Sequence, residues 1–556
     1  MGRGASIGVF SAAAALVLAP IVAGFAIGLA ASLGFFPAIG ADHLTFAPYH
    51  RLMAVPEFWG ALGLSLQTGG VATAISLLLA LIFVAQGGGE SRILAPLLAI
   101  PHAAIALGLA FLIAPSGWIM RALTPLLGFE RPPDLALVND PAGFALILGL
   151  VIKETPFLVI AIASAMAQLP VTRTRQIGAS LGYGTLRIWA LLILPQLYPL
   201  IRLPVMVVLA YGLSVVDMAL ILGPNAPPTF AVLVTRLFIA PDLTLLLPAF
   251  AGAMVQIALI ALACLSLWLC ERGMMRLAKA EARMGRRGGT RIPLSWITPL
   301  PRGIMGLGLI GIVGLLLWSI TWRWVWPDVF PQSLSLRAWQ SGDWGAPLHT
   351  SLEIAVISLT IATPLALLTL EAVDHLPNKL AKPILLPLIY TPLLMPQIGF
   401  LYGVNIAALK LGITAGVAPV IWAHLLFVYP YILLMLLDPW RAIDRRVLQA
   451  AAALGAGPWR RFFAVKLPLM LRAIMVAMAV GFAVSIAQYL PTLFVGGGRV
   501  STITTEAVTL ASGGDRRITG VYGSLQAALP LLVYLLAFLT PRYVWRNRRA
   551  MQARVT

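Results

Sequence analysis

Long apolar runs alternate with short polar segments along the whole of this chain. Twelve runs reach about 20 residues, the length a hydrocarbon core requires. The first six fall at roughly 8–34, 60–86, 93–114, 143–168, 196–222 and 244–270. The other six fall at roughly 303–322, 349–370, 383–408, 416–437, 469–495 and 522–541. Each predicts a membrane-spanning helix, because in lipid a helix satisfies its own backbone polar groups. The pattern therefore predicts an all-α polytopic membrane protein embedded in a lipid bilayer.

Composition narrows the picture further. The chain has 556 residues, 60% hydrophobic and 11% charged, and its mean hydropathy is +0.92. That excludes a soluble globular domain. Net charge is +19, but no basic stripe is interleaved with stacking aromatics, so nucleic acid is not an expected partner. The positive charge is instead sided. With the N-terminus inside, 26 Lys and Arg fall on the inner side and 10 on the outer. The inner clusters lie in 271–302 (Arg272 to Arg302, including Arg286, Arg287 and Arg291), in 438–468, and in the tail with Arg548, Arg549 and Arg554. The bias toward positive inner loops places both termini in the cytoplasm. The run from Ile7 to Leu33 is too long for a signal peptide's apolar core and reads as an uncleaved first span. Cys264 and Cys270 are too few for a disulfide framework or a zinc site.

One polar stretch occurs twice. Gln449 to Pro468 lies between two spans, within a connection, 438–468, far longer than a helix–helix loop needs. Val447, Leu448, Ala451 and Leu454 fall at helical spacing. Gly455 and Gly457 release the backbone, Pro458 suits the start of a second short helix, and Pro468 is expected to end it where the next span begins. The same pattern stands at Gln176 to Pro195: Gln176, Leu181, Gly182, Gly184, Leu194 and Pro195 each recur 273 residues later. Other landmarks repeat too. Ile100-Pro101-His102 with Gly108 matches Met395-Pro396-Gln397 with Gly403, and Ser65-Leu66 matches Ser351-Leu352. Six spans per half is an even number, so the halves are expected as parallel repeats. The basic, Gly-containing segment 271–302 is expected as the linker between a first half at 1–270 and a second at 303–556.

A small-residue helix, then a Gly with Pro thirteen residues on, found twice on the cytoplasmic side, resembles the EAA loop of binding-protein-dependent ABC importer permeases. The resemblance extends over nearly the whole chain, through Leu213 to Asp217 with Ile221 to Pro224, and Val480 to Tyr489 with Thr504 to Val508. These are similar to the YnjC-type fused permeases, a group assigned to thiamine-class import. It implies a type I ABC importer permease fold. It implies two copies of an ABC ATPase subunit, which would do the ATP hydrolysis, and a periplasmic substrate-binding protein. It implies coupling loops at about 171–195 and 438–468, carried by Gln176, Ala179, Gly182 and Pro195 and by Gln449, Ala450, Gly455 and Pro468. Gln176 and Gln449 stand where the family has Glu, and Ile177 and Gly178 replace its two Ala in the first copy.

Polar residues inside apolar runs are costly and mark pathways or structural support. Asp217 and Gln488 each lie three residues after a Ser, Ser214 and Ser485, and Tyr489 follows. They are candidate pathway residues, with hydration near the outer interface as the alternative for Asp217. Lys153 and Glu154 are expected to neutralise each other, or to support a helix break at Pro156. His424 reads as hydrogen-bonded structure. Trp322, Trp324 and Trp326 read as a membrane-interface belt. Gly87 to Gly89 and Gly496 to Gly498 read as turns, since no Lys follows at P-loop spacing. No catalytic or metal-spaced constellation and no cofactor motif is found, so the chain reads as a transporter subunit and not an enzyme. Thiamine or a related compound is the expected cargo, with ferric iron or another small ion as the alternative. A proton-coupled secondary transporter would use Glu154, Asp217 and His424 but leaves the two long loops without a purpose.

Overall fold

The computed structural model describes residues 3–87, 94–285, 288 and 299–546. Gly88, Gly89, Arg92, Arg286, Arg287, Arg291, Arg548, Arg549 and Arg554 lie outside the described residues, as do 289–298 of the linker expected at 271–302.

Eleven helices among the described residues are long and apolar enough to cross a membrane. A further pair, Pro383–Leu394 and Gln397–Lys410, bent by 104°, brings the number to twelve. The first half contains α1 (Arg3–Ser32), α2 (Phe58–Ala85), α3 (Leu94–Ala99), α4 (His102–Ile113) and α5 (Phe144–Met166). It continues through α6 (Val171–Ser180), α7 (Leu194–Ser214), α8 (Asp217–Leu222), α9 (Phe230–Ile239) and α10 (Leu246–Arg283). The second half contains α11 (Pro299–Ser319), α12 (Gly345–His375), α13 (Asn378–Leu394), α14 (Leu401–Lys410) and α15 (Val417–Arg441). It ends with α16 (Arg445–Ala453), α17 (Leu467–Ala487), α18 (Leu490–Gly496), α19 (Ile503–Ala511) and α20 (Arg516–Val544). After α1 and again after α11 comes a small antiparallel hairpin, Phe35–Phe36 with Ala41–Asp42 and Thr321–Arg323 with Ser333–Leu334.

Four expected spans are interrupted. The run at 93–114 is two helices, because Pro101 has no N–H to donate and holds Ile100 out of helical geometry. Pro396 does the same to the run at 383–408. The runs at 196–222 and 469–495 break at Val215-Val216 and at Gln488-Tyr489, with Val215 and Gln488 extended. A second difference concerns α10. Its 38 residues run to Arg283, so 271–283 is helix and not linker. Ala, Leu, Met, Lys, Arg and Glu dominate that stretch, and all are good helix formers.

The two halves hold each other by exchange. Helix α1 packs along α14 and α12 of the second half, while α11 packs along α4 and α20. Glycines make the crossings possible. A Cβ on Gly24 would stand 2.4 Å from the Phe400 carbonyl oxygen, and one on Gly108 would stand 2.7 Å from the Gly311 backbone. Gly403 and Gly311 complete the two crossings from the other side. Close backbone approach substitutes for the hydrophobic drive that lipid removes.

The two serines of the repeat also have matching tasks. Ser65 Oγ accepts the Phe230 N–H at the start of α9 (2.8 Å), and Ser351 Oγ accepts the Ile503 N–H at the start of α19 (2.9 Å).

Candidate functional site

Each break frees backbone groups, and in lipid these need partners. Lys153, near the middle of α5, supplies them at the first break. Its Nζ donates to the carbonyls of Leu97 (2.9 Å), Leu98 (3.0 Å) and Ile100 (2.5 Å). Glu154 turns elsewhere, and its Oε1 lies 2.9 Å from His102 Nε2. The two lie within electrostatic reach but share no hydrogen bond or salt bridge, so they are not the self-satisfied pair expected from the sequence. Nor is there a break at Pro156: α5 runs through it from Phe144 to Met166. The support is needed across the helix pair, at Pro101.

At the second pair of breaks the two halves use related devices. Gln256 on α10 donates to the Leu213 carbonyl at 3.0 Å. In the second half Thr504 donates to the carbonyl of Ile486, the residue 273 positions after Leu213. Gln526 on α20 then donates to Thr504 at 2.8 Å. The buried His424 spans this break, with Nδ1 2.9 Å from Ser485 Oγ and Nε2 3.0 Å from Thr492 Oγ1. Both ring nitrogens are thus used in structure.

Asp217 opens α8 directly after the first-half break and is buried, 9% exposed, which removes the hydrated-interface alternative. It lies within electrostatic reach of His102 and of Tyr489 from the second half. His102 also packs against Tyr211, ring centroids 4.4 Å apart and the planes tilted by 40°. Glu154 lies within electrostatic reach of Tyr211 and of Tyr431 on α15. Two carboxyl groups from one half and phenols from both halves therefore converge between the halves. Gln488 meets Gln397, the residue after Pro396, at 3.5 Å. Of the sequence candidates, Asp217, Gln488 and Tyr489 come to this interface. Ser214 spends its hydroxyl on the Ala210 carbonyl of its own helix, and Ser485 spends its own on His424. Tyr211 and Tyr431 escape sequence reasoning, since a Tyr in an apolar run carries no signal of its own.

The two repeated segments form matching turns. In the first, Gly182 (φ +82°) follows α6, the Gly182 N–H bonds to Ala179 O and the Tyr183 N–H to Gly178 O. In the second, Gly455 (φ +82°) follows α16, with Gly455 N–H to Ala452 O and Ala456 N–H to Ala451 O. This double closure needs a left-handed residue, which Gly supplies. Gln176, Ala179, Gln449 and Ala450 are exposed. So are Ile177, Leu181 and Leu186 in the first copy and Leu454, Trp459 and Phe463 in the second. Gly178 has a packing reason: a Cβ there would meet Ile188 at 2.7 Å.

Pro195 and Pro468 do not end a helix as expected. Thr185–Ser214 and Pro458–Ala487 are each continuous. A wide π turn, Ile188–Ile193 in one and Phe462–Lys466 in the other, precedes the proline and draws aside the carbonyl its ring would strike.

Lys466, the last residue of that second π turn, is buried. Its Nζ lies 2.5 Å from Glu371 Oε2 and 3.1 Å from Asp374 Oδ2, both near the end of α12. It also sits 4.4 Å from the ring centre of Trp440, whose Nε1 donates to Asp374 at 2.9 Å. Sequence reasoning does not find this cluster. The available signal is a pair of acids three apart at the end of a span.

At the opposite face, five rings from both halves pack together: Phe36, Phe238, Phe250, Tyr402 and Phe494, with Phe238 and Tyr402 stacked at 4.5 Å. The tryptophans of the loop after α11 are more than a belt. Arg121 is buried beneath Trp324 and Trp326 and donates to the carbonyls of Val325 and Asp328, both at 2.9 Å.

Up to twelve candidate spans among the described residues, with polar breaks inside them and two exposed turn-forming segments, define a polytopic membrane protein. Residues 355–545 match the family described as binding-protein-dependent transport system inner membrane component. The chain is 31% identical over 522 residues to the inner membrane ABC transporter permease protein YnjC of Escherichia coli (strain K12), covering 93% of this chain and 94% of that protein. It is 28% identical over 190 residues to a spermidine/putrescine transport system permease protein PotC homolog of Mycoplasma genitalium (34% of this chain, 66% of that protein). It is 28% identical over 180 residues to the molybdenum transport system permease protein ModB of Azotobacter vinelandii (30% and 78%). The chain belongs to the binding-protein-dependent ABC importer permeases, multi-pass proteins of the inner membrane.

Proposed function

We propose that this chain supplies both pore halves of one ABC importer, 1–270 and 303–556, with both termini in the cytoplasm. The segments at about 171–195 and 438–468 act as coupling loops, each receiving one copy of the ATPase subunit. A periplasmic binding protein delivers cargo to the opposite face. The observation that carries the reading is the pair of matching glycine turns, each running through a π turn into a span. Their exposed apolar residues offer a contact surface. Closure of the ATPase pair would draw the two turns together and rock the halves about the polar interface between them.

A pull-down from detergent-solubilised membranes tests this. The ATPase is expected to co-purify with the unaltered chain and to be lost from a Gly182→Arg, Gly455→Arg variant. Both glycines are exposed, so the spans should be untouched. Absence of any ATPase with the unaltered chain would overturn the assignment of the loops.

The cargo most consistent with the interface is a small organic cation, thiamine or a related compound. Two carboxyl groups supply charge, and Tyr489 and Tyr211 supply aromatic faces, worth about 0.5–2 kcal/mol in cation–π contact. Asp217→Ala with Tyr489→Ala is expected to lower thiamine uptake at limiting concentration by about tenfold or more, on the order of the loss of one charged contact. Unchanged uptake would remove these residues from the pathway.

A further inference from the structure

The two repeated segments are tied to the membrane helices in different ways. In the first, Arg202 on α7 pairs with Glu271 on α10 at 2.5 Å, and Arg187 pairs with Glu281 at 3.4 Å. That segment is therefore braced against α10, the last span of its half. In the second, the tie is a group of the buried Lys466, Glu371 and Trp440 with the more exposed Asp374. It joins the π turn to α12 and α15.

Among the described residues the first half has no such group. Ile193 stands 273 residues before Lys466, Ala167 before Trp440 and Val151 before His424. At the offset that relates Ser65 to Ser351, Ala85 stands in place of Glu371. A charge with two acidic partners, set in a place its repeat fills with apolar side chains, is not required by the fold.

Helix α15 gives the group a reach. Trp440 lies near one end of it, and His424 lies sixteen residues earlier. At 1.5 Å per residue that is about 24 Å along a helix. His424 holds both sides of the break at Gln488-Tyr489 through Ser485 and Thr492. Trp440 and His424 thus make one helix a rod between the second repeated segment and the polar interface.

We propose that Lys466 is the positioning residue through which the second coupling loop drives α12 and α15, and through α15 the break at Gln488. This rests on the coupling-loop reading above. The first loop would push instead on α10. The stroke delivered by two identical ATPase subunits is then received unequally, and the second half carries the motion that reshapes the polar interface.

The test uses the whole chain with its co-purified ATPase, reconstituted in lipid nanodiscs. Cys264→Ala and Cys270→Ala free the chain for labelling. Spin labels go on Leu243→Cys and Leu411→Cys, both exposed at the opposite face and one in each half. Trapping with ATP and vanadate is expected to change the label distance in the otherwise unaltered complex. In Lys466→Met the ATPase remains bound and hydrolyses ATP, but far fewer complexes reach the new distance. Lys466→Arg restores the change, because it keeps a cation beside Glu371. The ATP hydrolysed for every complex that reaches the new distance should rise at least about fivefold in Lys466→Met, the low end of ordinary site-to-site coupling. Lys466→Met leaves Glu371 buried without its cation, which carries a folding cost of its own. The triple change Lys466→Met, Glu371→Gln, Asp374→Asn removes the cation and its two carboxylates together and serves as the second variant. A full change in distance in either variant, or failure of Lys466→Arg to restore it, would overturn the role of Lys466. Loss of the ATPase from the unaltered chain would instead overturn the coupling-loop reading, and this inference with it.

Discussion

Gly403→Ala is expected to leave little of the chain correctly folded in the membrane. Its new Cβ would stand 2.1 Å from the Gly24 carbonyl oxygen. The obstacle is backbone on a helix from the other half, so no side chain can swing aside. Overpacking of a tight contact costs about 1–3 kcal/mol even where neighbours can adjust. Here the helices must part, and the whole α1–α14 seam loses contact. Gly108→Ala should behave alike, since its Cβ would meet Gly311 backbone at 2.7–2.8 Å. Gly63→Ala is the control: it lies on α2 with nothing within 4 Å of the added carbon. Size-exclusion profiles and heat resistance of fluorescent fusions in detergent would read the difference. Gly403→Ala as stable as Gly63→Ala would show that the crossing does not bind the halves.

Lys153→Met should be the most damaging change of a single polar side chain. It strips three carbonyls of their donor at once, at the break beside Pro101. In water such groups would be rehydrated; within a bilayer each unsatisfied group is costly. The loss should reach about 3 kcal/mol or more, since hydrogen bonds to a charged donor exceed neutral ones. The neighbour separates structure from transport. Glu154→Gln keeps a polar group beside His102, so it should leave heat resistance near that of the unaltered chain while altering uptake. Equal heat resistance of Lys153→Met and Glu154→Gln would contradict the division of labour described for the two residues.

The twelve spans are legible because lipid demands long apolar helices and hydropathy averages over such lengths. The same averaging hides what happens inside a span. Val215 and Val216 look as lipid-compatible as any helical pair, yet the chain turns there. The polar Asp217 is the visible trace of that turn, and in the sequence it points to a pathway or to a hydrated interface but not to a break. Proline breaks a span at Pro101 and Pro396, inside runs that read as unbroken, and is absorbed at Pro156 and Pro468, where a break is expected. Which of these occurs depends on whether a partner such as Lys153 caps the freed carbonyls, or a π turn makes room. Neither is local in sequence. The glycine turns are legible because a left-handed residue is a local need, stated by the residue itself. Lys153 pairs on paper with its neighbour Glu154 because adjacency is all a sequence offers, whereas its actual partners lie 53 to 56 residues away.

The exchange of first spans also sets an order of assembly. Helix α1 is made before α12 and α14, which enclose much of it and follow roughly 300 residues later or more. At 5–20 residues per second that is a wait of about 15–60 s. During it α1 must rest in lipid with a bare flank, and its composition suits it to do so: mean hydropathy 2.3 over its span, with Arg3 its sole charged residue. Helix α1 is therefore enclosed long after it is made, and neither half is finished until the other has been translated.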